Sequence, residues 1–359
     1  MQIKTGPDSP GKNRVPGAKG LDRMEPPETP TTVSPPAPPP ESLRLVYILG
    51  AGRCGSTLLD MVLGAHPDIC STGELFHFPA NLRGKPQPCS CGADATACEF
   101  WARVRSEVEP QFPLTALDAG RRFEFTRSLP RTALLAGIPG SSVDQYARRL
   151  AVLLHAISTQ SGKKVVVDSS KLTCRGLILW RTRSVGLDVR YIHLVRDGRG
   201  YVWSKLRVAD GQGLGLTPPE KNVADLSAWW VMANVLSAVL FRFRRGRYLR
   251  IRYEDLIADP EATLGRVGRF VGVDLTDVIA AVRDRRPLPV SHTVGGNRTR
   301  FNRTVLLKPD TDWQQNLLKE DERTFWGIAG WLARRYGYQA RTRRGERADA
   351  SLGSRDGTS

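Results

Sequence analysis

Tyr47-Ile48-Leu49-Gly50-Ala51-Gly52-Arg53-Cys54-Gly55-Ser56-Thr57-Leu58-Leu59 reads as a buried strand that enters a glycine-rich turn and then opens a helix. Glycines let the backbone approach an anion, and the unpaired N–H groups at a helix start can then hold it. Ser56 and Thr57 add hydroxyl donors, and Arg53 adds a fixed positive charge. An arginine between glycines has no packing role, so an anion site explains this turn better than a purely structural one does.

Working outward, Leu45–Leu49 is joined by three more apolar runs, Val165–Val167, Val189–Val195 and Tyr248–Arg252, which read as buried parallel strands. Helical patterns cover Ser56–Leu63, Val143–Ser161, Asp225–Arg244, Glu261–Val271 and Asp321–Tyr336. Asp259-Pro260 supplies a cap and a first-turn proline to the fourth of these. The alternation predicts a doubly wound α/β architecture, ligands lying at the carboxyl ends of the strands.

Two familiar phosphate motifs overlap the turn. Gly50-x-Gly52-x-x-Gly55 satisfies a dinucleotide fingerprint with Glu74 downstream, but that acid should end a second apolar strand, and Asp68–Gly73 does not read as one. Gly50, Gly55 and Thr57 also fit a nucleoside-triphosphate loop, except that Ser56 stands where its lysine should be. Asp168 and Asp197, each near a strand end, are the acids that such an enzyme would use for its metal.

The chain of 359 residues carries a formal net charge of +17. Residues 1–42 hold 11 of the 25 prolines with balanced charge, and read as a disordered tail; the Arg-rich residues 340–359 read as a second. The domain expected over 43–339 therefore keeps +15, which calls for an anionic partner. The arginines lie within the motif segments and no nucleic-acid motif is present, so a nucleotide is preferred to nucleic acid as that partner. No segment resembles a signal peptide, and Ala224–Phe243 reads as too short and interrupted for a membrane span, so a cytoplasmic protein is expected.

A second motif lies in Tyr191-Ile192-His193-Leu194-Val195-Arg196-Asp197-Gly198-Arg199-Gly200-Tyr201-Val202-Trp203-Ser204. Arg196 leaves a buried strand, and Ser204 follows about two helical turns later, so both can reach one phosphate. Together, Arg53-x-Gly55-Ser56-Thr57 and this Arg–Ser pair resemble the 5′-phosphosulfate and 3′-phosphate sites of sulfotransferases that use 3′-phosphoadenosine 5′-phosphosulfate (PAPS). Arg252–Leu256, with Tyr253, and His292–Arg300 resemble further segments of that family, the latter its late loop over the adenosine; Trp313 follows. Ala65–Asp68 with Ser71–Glu74 is similar to the tyrosylprotein and bacterial carbohydrate-type members.

The resemblance implies a P-loop-like, three-layer α/β/α fold with a central parallel sheet, and a cofactor site of Gly52, Arg53, Cys54, Gly55, Ser56, Thr57, Arg196, Ser204, Tyr253, Gly296, Asn297 and Arg298. It implies Glu74 as base and Arg53 and Lys171 as cations on the transferring group, with no metal required. A carboxylate base needs burial or nearby anions to raise its pKa toward neutrality. His77 is a rival base, and His66 reads as a turn residue. The acceptor, a small molecule, carbohydrate or peptide, is not specified; residues 75–160 are expected to shape its pocket. A P-loop kinase and a non-catalytic nucleotide or polyanion binder are the alternative functions.

Cys89-Ser90-Cys91-Gly92 with Cys98 forms a compact cluster. It fits zinc imperfectly unless Cys70 or His77 completes the set, and a disulfide or reduced thiols fit as well. A similar C-x-C-G insertion in some bacterial members implies a structural role. Cys54, at a helix start, is a candidate reactive thiol.

Overall fold

The computed structural model describes residues 42–78, 88–207, 222–289, 291–302 and 307–340. Both expected tails, apart from Ser42 and Ala340, lie outside these residues. Five strands, β1 (Arg44–Leu49), β2 (Ile69–Ser71), β3 (Val165–Lys171), β4 (Asp188–Val195) and β5 (Tyr248–Arg252), form one parallel sheet in the order β2-β3-β1-β4-β5.

Side chains alternate across a strand, so one strand feeds two cores. Leu45, Tyr47 and Leu49 pack with the helices Glu99–Val108 and Ser142–Ser161. Val46 and Ile48 face the other way, toward α1 (Ser56–Gly64) and the Pro260–Val271 helix. Helices thus cover both faces, as a sheet with apolar residues on both sides requires. Asp259 caps the latter helix, its side chain accepting from the Ala262 N–H at 2.9 Å.

Two expectations are corrected here. Ile69–Ser71 is a strand, though not an apolar run, and among the described strands it pairs with β3, at the sheet edge. Its position also excludes the dinucleotide fold on stronger grounds, because there the second strand lies beside the first, whereas here β3 separates β2 from β1. The Val223–Phe241 helix, with 19 residues and a mean hydropathy of 1.5, is long and apolar enough to cross a membrane by length and composition. In the fold it lies against the Lys319–Arg335 helix, with the Trp230 and Phe325 rings 5.6 Å apart.

Candidate active site

The expected site residues come from the carboxyl ends of all five strands: Arg53 after β1, Glu74 after β2, Lys171 at the end of β3, Arg196 after β4 and Tyr253 after β5. A parallel sheet makes this edge the one place where loops from every strand meet.

The turn after β1 is held open by glycine. Gly50 has φ +143° and a Cβ there would meet the Leu194 carbonyl oxygen at 2.4 Å. Gly55, at φ +92°, lies under the Tyr253 ring, which a Cβ would strike at 2.5 Å. Arg53 itself takes a left-handed φ of 62°, a conformation that non-glycine residues adopt at a cost. Ser56 then starts α1, and an added Cβ at Gly52 would come 3.8 Å from the Lys205 ammonium, a cation that the motifs did not indicate.

Arg196 joins the two motif stretches. Its Nη1 donates to the Arg53 carbonyl at 3.0 Å, and its guanidinium lies 4.9 Å from the Tyr253 ring centroid. The residue is buried, and among the described residues its Nη2 has no aligned hydrogen bond but sits 2.9 Å from the half-exposed Asp310 carboxylate. Burial, together with Arg196 and Arg207, pulls the Arg53 pKa down, with Glu74 opposing. An added Cβ at Gly200 would meet Arg196 Nη2 and Trp313 at 3.1 Å. Ser204, one turn further along the Gly198–Arg207 helix, lies on the same face.

Glu74 is gripped from several segments. Its Oε1 accepts from Lys171 Nζ at 2.6 Å, its Oε2 lies 3.3 Å from His77 Nε2, and its N–H donates to the Val294 carbonyl at 2.8 Å. Burial alone would raise its pKa, but Lys171 and His77 outweigh burial and hold it at about 2. This corrects the expectation of a carboxylate raised toward neutrality, because the near neighbours are cationic donors and not anions. His66, as expected, serves a turn, its Nδ1 accepting from the Asp68 N–H at 3.1 Å.

Beneath Glu74 lie groups without a motif. Asp60, fully buried on α1, accepts from the Gly73 N–H at 3.0 Å, and burial pushes its carboxyl up to about 8. Asp168 accepts from Arg175 at 2.8 Å and from the Ser170 hydroxyl at 2.5 Å, and that hydroxyl in turn accepts from the Phe76 N–H at 3.0 Å. Arg175 also pairs with Glu124, to which Tyr146 donates at 2.8 Å. Asp197 is engaged by Arg199 at 2.8 Å. Both acids considered for a kinase metal are therefore held by buried arginines. Asp60 left one trace in the sequence, an acid within the apolar run Leu58–Leu63.

The late loop reaches the same place, the Asn297 N–H donating to Thr57 Oγ1 at 3.2 Å and an added Cβ at Gly296 lying 3.9 Å from Glu74 Cγ. Of its arginines, Arg298 is exposed, whereas Arg300 is buried and donates to the Gly296 carbonyl at 2.7 Å. The reading of Cys54 as a reactive thiol is also corrected: its side chain is buried in the core and burial raises its pKa. Neither Cys70, on β2, nor His77, on Glu74, completes the cysteine cluster.

A family profile described as "Sulfotransferase family" matches residues 46–277. The sulfotransferase domain of the olefin synthase from Synechococcus PCC 7002 is 20% identical, with 84% of this chain and 97% of that one covered and a TM-score of 0.48. Sulfotransferase STF9 from Mycobacterium avium is 13% identical (85% and 79% covered, TM-score 0.44). Mouse sulfotransferase SULT7A1, complexed with PAP, is 12% identical (81% and 85% covered, TM-score 0.39). No curated protein matches the sequence.

Proposed function

This chain belongs to the sulfotransferase family, and on that footing we propose that it moves the sulfuryl group of PAPS in line onto a hydroxyl or amine, with Glu74 as base. The observation that carries the reading is the hydrogen bond from Arg196 to the Arg53 carbonyl, which ties both phosphate motifs to one cleft. The cleft suits a doubly anionic nucleotide. Its turn follows a backbone path that admits no Cβ at Gly50 or Gly55, and Arg196 keeps a buried Nη2 with no aligned bond among the described residues, holding in Asp310 a carboxylate where a phosphate would bind.

In this reading Arg53 and the turn at the start of α1 hold the 5′ end, while Arg196, Ser204 and Tyr253 hold the 3′-phosphate. Asn297, Arg298 and the glycines before them close over the nucleotide, and Arg300 braces that loop from within. When bound, PAPS supplies an electrophilic sulfur and a phosphate leaving group. Arg53 and Lys171 neutralise charge that develops on the equatorial and leaving oxygens. Glu74 is ionised at neutral pH and so can accept a proton, but with a pKa of about 2 it is a weak base while Lys171 holds it. A lysine drawn toward the transferring group would release that hold and raise the proton affinity of the carboxylate. Phe76, packed on Phe125 at 5.8 Å and under Arg121 at 4.1 Å, brings the 121–128 segment beside Glu74 as a wall for the acceptor.

The test is calorimetry of the full chain with adenosine 3′,5′-bisphosphate, followed by a [³⁵S]PAPS transfer screen over sugars, peptidyl tyrosine, lipids and small alcohols. Binding with labelled product supports the proposal. No affinity for the bisphosphate would overturn it, and binding without any product would favour a nucleotide-binding protein.

A further inference from the structure

Away from the nucleotide cleft, the structure gathers four metal-ligating side chains whose ligand atoms all lie within 4.8 Å of one another: Cys89, Cys91, Cys98 and His292. Three come from the loop before the Glu99–Val108 helix, and the fourth from the late loop nearly two hundred residues on. Cys91 Sγ and Cys98 Sγ are 3.7 Å apart, and His292 Nδ1 lies 3.2 Å from Cys98 Sγ and 3.8 Å from Cys89 Sγ. A tetrahedral zinc with ordinary Zn–S and Zn–N bonds has S···S edges of about 3.8 Å and S···N edges of about 3.6 Å. The observed separations scatter around those edges. A disulfide would bring its sulfurs to about 2.05 Å, so the Cys91–Cys98 spacing is not that of a bond and fits two ligands of one ion.

We propose that Cys89, Cys91, Cys98 and His292 bind one Zn²⁺ as a structural site. Three thiolates and an imidazole suit zinc, and four protein ligands leave no position for a reacting group. The ligands are held in place. The His292 ring stacks on Phe100 at 5.1 Å and 15°, and a tight turn brings the Gly92 N–H to the Cys89 carbonyl at 2.9 Å. Cys89 and Cys98 are buried while Cys91 is exposed, which gives the ion a way in. Arg300 Nη2, 3.4 Å from the Pro88 carbonyl, sets a cation beside a site whose net charge with zinc would be −1.

The ion would fasten the late loop. Ser90 N–H donates to the Thr293 carbonyl at 3.1 Å, and the Thr293 N–H donates to Ser90 Oγ at 2.8 Å. One residue on, Val294 pairs with Thr72 at 2.9 Å and with the Glu74 N–H at 2.8 Å. Zinc would thus set the backbone beside Glu74 and the Gly295-Gly296 turn, in a stretch with little apolar side chain to hold it. The inference does not depend on the donor or acceptor assigned above.

The test begins with metal analysis of the reduced full-length protein, purified without chelator, and with the visible spectrum after exchange into Co²⁺. About one zinc per chain is expected, with thiolate-to-cobalt charge transfer and tetrahedral d–d bands. Cys98→Ser and His292→Ala should each lower the zinc content below stoichiometric, and Cys70→Ser should retain it. In the wild type, chelation should speed amide exchange across 88–98 and 291–296. Substoichiometric zinc with no cobalt uptake by the reduced wild type, or a Cys91–Cys98 disulfide in the protein as isolated, would overturn the site. Amide exchange unmoved by chelation would overturn the clamp.

Discussion

Around Arg53 one continuous stretch makes the geometry of the turn, whereas around Glu74 the chain draws on α1, the end of β3, the Thr173–Arg181 helix and the late loop. The turn after β1 needs only its own glycines and a helix start, with Tyr253 and Arg196 laid over it. The Glu74 arm has no such local rule. Its backbone is pinned by Val294 and its neighbour Gly73 by Asp60, while Lys171 and His77 hold its carboxylate. A binding surface can be written locally, because N–H groups at a helix start point the same way whatever surrounds them. The set pKa of a carboxylate cannot, because its proton affinity belongs to its neighbours.

The sharpest way to break this contrast is Glu74→Gln. Turnover in the radiosulfate assay should fall about 10²–10⁴-fold while bisphosphate affinity holds; near-wild-type turnover would move the base to His77. Next comes Arg175→Met, which leaves the fully buried Asp168 and Glu124 without their cation. Denaturant unfolding should register a loss of about 3–5 kcal/mol, and an unchanged midpoint would mean that the network bears no strain. Arg196→Ala should do the reverse of the Glu74 change. Losing charge-assisted bonds worth about 1.5–3 kcal/mol should weaken bisphosphate binding roughly 10- to 150-fold by calorimetry.

The smallest effect concerns pH. Burial raises the Asp60 carboxyl from 3.8 to about 8, so between those values the native state keeps a proton that the unfolded chain has lost. Its contribution is full below pH 3.8 and fades as pH rises through about 8. Glu74 has the opposite sign, since its depressed pKa stabilises the fold above 4.5 and that gain is lost as pH falls toward about 2. Asp60→Asn should therefore flatten the decline in melting temperature from pH 5 to 8.5, and parallel profiles for the two proteins would show that the acid is not held neutral.

Much of the fold was legible because its signals are long or repeated. Four strands show as apolar runs and five helices as helical patterns, with ends displaced by a few residues. Ile69–Ser71 was missed because Ile69-Cys70-Ser71, between Asp68 and Thr72, is not an apolar run as Val165–Val167 is, and its pairing partner lies far along the chain. In the site, Arg53 and Arg196 announce themselves at strand ends. Arg300 could not be told from Arg298 two residues earlier, because only the packed loop decides which of them is buried. The cysteines were visible as a cluster, but their fourth companion is His292 and not Cys70 or His77.

What the sequence determined by itself was the alternation of strand and helix, the glycine turn and the two arginines, all set by residue type and spacing over short stretches. The tertiary structure alone decided how acidic Glu74 is, which loop arginine is buried, and what stands beside the three cysteines. Those properties arise from groups that meet across long separations in the chain, where burial and charge act through space and spacing along the sequence says nothing.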